Sequence, residues 1–62
     1  MNKLTVISID HGHAIVDYYQ PTTVERVASY IAKRGCESIT FRVGLEECQT
    51  MTWEAFKKYF DL

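Results

Sequence analysis

Chemistry-bearing side chains crowd one short stretch, Asp10-His11-Gly12-His13, with Ser8 just before it. Aspartate, histidine and serine are the residue types of a metal site, or of a nucleophile with its base. Cys36 and Cys48 add two thiols further along. Structural zinc sites use closely paired ligands such as C-x2-C, and these cysteines stand far apart in the chain. A nucleophile needs a base, a third group to orient that base, and a cavity that excludes water. The spacing supplies none of these securely. No catalytic residue, metal or cofactor is therefore assigned, and the expectation is a protein that is not an enzyme. The plain reading of Asp10–His13 is the turn of a hairpin. A metal-binding site at that hairpin is kept as the third functional reading.

The surrounding stretch VISIDHGHAIV resembles the first phosphate-binding hairpin of the actin-like ATPase superfamily: a hydrophobic strand, Asp-x-Gly, then a second strand. The resemblance implies nucleotide binding, but in chains several times longer. His13 also stands where that superfamily places a small or hydroxyl residue. No nucleotide function is carried over.

Size sets the frame for any site. A chain of 62 residues is one domain, 1–62, and buries only about 60% of the surface its unfolded form exposes. Such a core needs nearly every large apolar side chain, or help from a second subunit. Composition is that of a globular protein, 47% hydrophobic and 24% charged, which argues against disorder. The net charge of −1 argues against a free-standing binder of duplex DNA, whose affinity scales with the phosphates it neutralises. No apolar run approaches the ~20 residues of a membrane span. The N-terminus MNKLTVISID lacks the pattern of a secretory signal. The expectation is a complete small cytoplasmic gene product with both thiols reduced.

The elements that position the candidate residues follow from periodicity. Residues 3 to 19 are dense in β-branched and aromatic types and read as two strands. A two-residue turn at His11-Gly12 pairs Ile9 with Ala14, Ile7 with Val16 and Thr5 with Tyr18 on a core face. The other face then carries Leu4/Tyr19, Val6/Asp17, Ser8/Ile15 and Asp10/His13. Pro21 ends this region. Thr22-Thr23-Val24-Glu25 fits a capping box, and a helix follows to Arg34 with Val24, Val27, Ala28 and Ile31 on one side. Gly35 suits its end. Residues 38 to 43 alternate, with Ile39, Phe41 and Val43 facing inward. A turn at Gly44-Leu45 sets Phe41 opposite Cys48, in the core, and Arg42 opposite Glu47. Thr52 caps a last helix, 53 to 60, whose Trp53, Phe56 and Phe60 each offer about 150–250 Å² for burial. The fold class is α+β, ββαββα: a four-stranded antiparallel sheet with two helices packed on one face.

That architecture leaves one sheet face open. In the register above it holds Leu4, Val6, Ile15 and Tyr19, and clustered exposed apolar residues mark interfaces. The first functional reading is thus a small non-enzymatic interaction protein, a regulator or inhibitor of the kind phages and mobile elements encode. It would act by surface binding to another protein or to itself as a homodimer. The second reading is a nucleic-acid-binding module using Lys33, Arg34, Arg42, Lys57 and Lys58, with tyrosines as stacking surfaces.

Overall fold

The computed structural model describes residues 3–62; Met1 and Asn2 lie outside the described residues. The elements run β1 (Lys3–Asp10), β2 (Ile15–Thr23), α1 (Val24–Arg34), β3 (Ser38–Arg42), β4 (Gln49–Thr52) and α2 (Trp53–Tyr59). They form one antiparallel sheet in the order β2-β1-β3-β4. The α+β class and the ββαββα order follow the sequence pattern. α1 carries the chain over β1, from β2 at one edge to β3 in the interior. β2 and β4 are left as the edges.

A single cluster of nine apolar side chains makes the core. β1 gives Leu4, Val6 and Ile9; α1 gives Val24, Val27 and Ile31; β3 gives Ile39 and Phe41; α2 gives Phe56. Both helices feed this one cluster and so cover the same sheet face. The rings of Phe41 and Phe56 meet edge to face at 5.3 Å, and Trp53 stacks on Phe56 at 5.4 Å. Phe60 closes the group at 4.8 Å from Phe56. The three aromatics expected of the last helix thus converge on the core.

The first hairpin departs from the expected register. Asp10 pairs with Ile15, Ile9 with Val16 and Ser8 with Asp17, so residues 11–14 form a four-residue connection. The N–H of His11 donates to the carbonyl of Ala14 across it at 2.9 Å. Past Ser8 both ladders shift: Val6 pairs with Gln20 on β2 and with Phe41 on β3. On the β3 side Ile7 is the extra residue, because Ser8 pairs with Thr40. On the β2 side the excess lies at Tyr18-Tyr19, where Tyr19 takes φ 51°. Such bulges reset the alternation. Leu4 and Val6 lie at even positions and Ile9 at an odd one, and the bulge lets all three face the helices.

Two further details correct the expected local structure. Thr23, not Thr22, caps α1, its hydroxyl accepting from the N–H of Arg26 at 3.3 Å. In the second hairpin Phe41 pairs with Gln49 and Thr40 with Thr50. The connection is therefore six residues long, and Cys48 falls in it, exposed rather than beside Phe41. Met51, opposite Ile39, takes the inward position instead. Thr52 caps α2 as the sequence indicated, accepting from Ala55 at 3.2 Å.

Candidate functional site

Strand β2 is the longest strand of the sheet and lies at its edge. None of its nine residues is buried. Ile15 is 69% exposed, Val16 39% and Tyr19 68%. As an edge strand, β2 also presents unpaired backbone groups along its outer side, a template for another strand. Pro21 lacks an N–H and Tyr18-Tyr19 form the bulge, so the regular part of this edge is the stretch 15–17.

The four residues expected to share an apolar patch divide between two places. Ile15 and Tyr19 are exposed on β2, whereas Leu4 and Val6 are 3% and 4% exposed in the core. The shifted register is the cause. It turns Leu4 and Val6 towards the helices and gives the open face a polar character. Cross-strand rows there join Ile15, Asp10, Ser38 and Thr52, and then Asp17, Ser8, Thr40 and Thr50, so Ile15 is the apolar member of the two rows. The hydroxyls of Thr40 and Thr50 share a hydrogen bond of 2.9 Å.

Under the helix side of β2 lies a groove the sequence did not reveal, about 210 Å³ in volume. Its floor is Val6, Ile9 and Val27. Tyr18 and Tyr30 stand together at one wall, their rings edge to face at 5.7 Å and their hydroxyls sharing a hydrogen bond. Gln20, Thr22 and Arg26 make the rest of the rim. The Tyr18 hydroxyl is pushed up to about 12, first by burial and then by the bond to Tyr30. The Arg34 guanidinium works weakly against this rise; it lies 4.3 Å over the Tyr30 ring. The available signal was Tyr30, three residues after Val27 at the margin of the apolar helix face.

At the hairpin tip the geometry is structural. Asp10 Oδ1 accepts from the N–H of Gly12 at 2.9 Å, a local turn bond. His11 Nδ1 lies 2.9 Å from the Gly35 carbonyl oxygen. A carbonyl can only accept, so Nδ1 carries the proton in this bond. The N–H of Glu37 donates to the Asp10 carbonyl at 2.8 Å. These bonds tie the tip to the α1–β3 connection. Cys36 there is half-buried, and its thiol donates to the Ser38 carbonyl at 3.1 Å. Burial, then the nearby Asp10 and Glu37 carboxylates, push this thiol up. Among the described residues, no group of three or more histidine, cysteine, aspartate or glutamate side chains is arranged to hold a metal ion.

The basic residues do not gather in one place. Lys33 and Arg34 end α1, next to the hairpin tip that Gly35 binds. α2 starts from that same end, where the N–H of Trp53 donates to the Glu37 carbonyl, and runs away from it. Lys57 and Lys58 occupy its last turn, and Arg42 lies at the far end of β3, opposite Thr5. Lys57 is also engaged by Glu54 at 3.3 Å. No helix among the described residues is long and apolar enough to cross a membrane. Comparison with protein-family models, with curated proteins and with solved structures finds no match to this chain.

Proposed function

We propose that the protein is a non-enzymatic interaction protein, and that its binding surface is the outer side of β2, with a second copy of the chain as the occupant. The observation that carries this reading is the nine-residue edge strand without a buried residue, bearing Ile15 and Tyr19 more than two-thirds exposed. Two copies related by a two-fold axis would pair their 15–17 segments antiparallel, extending the sheet across the interface. Size favours the same arrangement. A domain this short has a marginal core, and association stabilises the folded state by mass action. Surface occlusion is the mechanism: the paired form presents a wide polar sheet face, and a competing partner takes the same edge. A regulator or inhibitor works in this way without a reaction chamber.

The test is sedimentation equilibrium on the wild-type chain beside the double variant Ile15→Lys/Tyr19→Lys. Lysine on an edge strand opposes strand addition. The wild type is expected to rise with concentration from the chain mass towards twice that mass, and the variant to stay at the chain mass, with unchanged circular dichroism. A variant that dimerises as well as the wild type would place the interface elsewhere.

A further inference from the structure

The groove between β2 and α1 has the makings of a small-ligand site, on the opposite side of β2 from the open sheet face. Its volume, about 210 Å³, lies below the ~300 Å³ at which pockets for drug-sized molecules begin. It suits a single ring or a branched aliphatic chain. The floor of Val6, Ile9 and Val27 is apolar, so the buried part of the ligand is apolar too.

The rim specifies the charge. Arg26 lines the groove and no aspartate or glutamate does. Among the described residues the only ion pair joins Lys57 to Glu54, so the Arg26 guanidinium has no carboxylate partner. The tyrosine pair adds a donor. Two hydroxyls hold two protons, and the bond between Tyr18 and Tyr30 uses one of them. The other is available to a third group. A guanidinium and a phenol proton beside an apolar floor match one chemistry: an anionic head on a short apolar body.

We propose that this groove binds a small aromatic or branched aliphatic carboxylate, with Arg26 pairing the carboxylate, the Tyr18–Tyr30 pair donating to it, and Val6, Ile9 and Val27 holding the apolar part.

The experiment is a titration of the isotope-labelled full chain, followed by amide NMR shifts, with phenylacetate and, separately, its neutral counterpart phenylacetamide. Saturable shifts are expected at Thr22, Arg26, Val27 and Tyr30. The acid should bind about fivefold tighter than the amide, the equivalent of one exposed charge pair. Arg26→Gln lies at an exposed position and keeps the fold. It should erase the acid–amide difference while leaving the weaker amide binding in place. Absence of saturable shifts up to roughly millimolar probe, equal affinity for acid and amide, or shifts centred on another surface would each overturn the proposal.

Discussion

The hydroxyls of Tyr18, on the edge strand, and Tyr30, on the helix that follows it, share one hydrogen bond at the wall of the groove. This bond joins β2 to α1 on the helix side of the sheet. It gives the strand an anchor that its exposed residues do not supply. Replacing Tyr18 by Phe should cost about 0.5–1.5 kcal/mol at neutral pH, measured by urea unfolding.

The same pair sets an alkaline limit. An unfolded tyrosine ionises at 10.0, and burial and the bond to Tyr30 push the folded Tyr18 up to about 12. Between those values the unfolded chain releases a proton that the folded chain keeps. Stability is therefore fully present below the lower value and falls as pH rises through the window. Melting curves should show this decline in the wild type and a smaller one in Tyr18→Phe. Identical alkaline profiles would separate the raised value from stability.

The two thiols should react at different rates. Cys48 is exposed in the β3–β4 connection, whereas Cys36 is half-buried, hydrogen-bonded to Ser38, and pushed up by burial. The thiolate is the reacting form. A disulfide reagent at mildly alkaline pH should therefore modify Cys48 in a fast phase and Cys36 in a slow one. Peptide mapping assigns the phases, and a single phase for both cysteines contradicts the assignment.

Gly12 is a point of intolerance. Its φ is 93°, and a β-carbon there would meet the Glu37 side chain at 3.6 Å. The space is adequate but the backbone is not, since an L-residue pays roughly 1–2 kcal/mol in left-handed conformations. Gly12→Ala should lower stability by about that amount, and adding Glu37→Ala should not restore it. Recovery in the double variant would show that side-chain crowding, not backbone conformation, set the cost.

Tyr19 offers the opposite trade. A tyrosine at φ 51° is strained, and glycine accepts that conformation freely. After its larger loss of chain entropy, glycine should leave the monomer unchanged or up to about 1 kcal/mol more stable. The side chain that strain retains is 68% exposed and packs on nothing in its own core. Tyr19→Gly should thus melt no lower than the wild type in dilute solution, yet associate more weakly. A variant that loses stability there would make Tyr19 a structural residue of the bulge.

Much of the fold was legible because periodicity reports burial directly. Val24, Val27 and Ile31 mark the buried side of α1, and Ile39 and Phe41 mark that of β3. Register was not legible. Alternation has a period of two, and it carries no trace of an inserted residue such as Ile7. Glycine at positions 12 and 44 signals a turn without fixing its length; the connections proved to be four and six residues. The expected interface shared this fault. Leu4 and Val6 were placed outside by a pairing that the bulge overrides, while Ile15 and Tyr19 remained on the surface. The groove depends on Tyr18 meeting Tyr30 through tertiary packing, and no local pattern encodes that.

Pairing of the free β2 edge with its counterpart in a second copy is read out by sedimentation equilibrium across a range of concentrations. The wild-type chain should show a concentration-dependent equilibrium between one and two copies, and the Ile15→Lys/Tyr19→Lys chain should stay single. A wild type that remains a single copy at the highest attainable concentration would contradict that pairing.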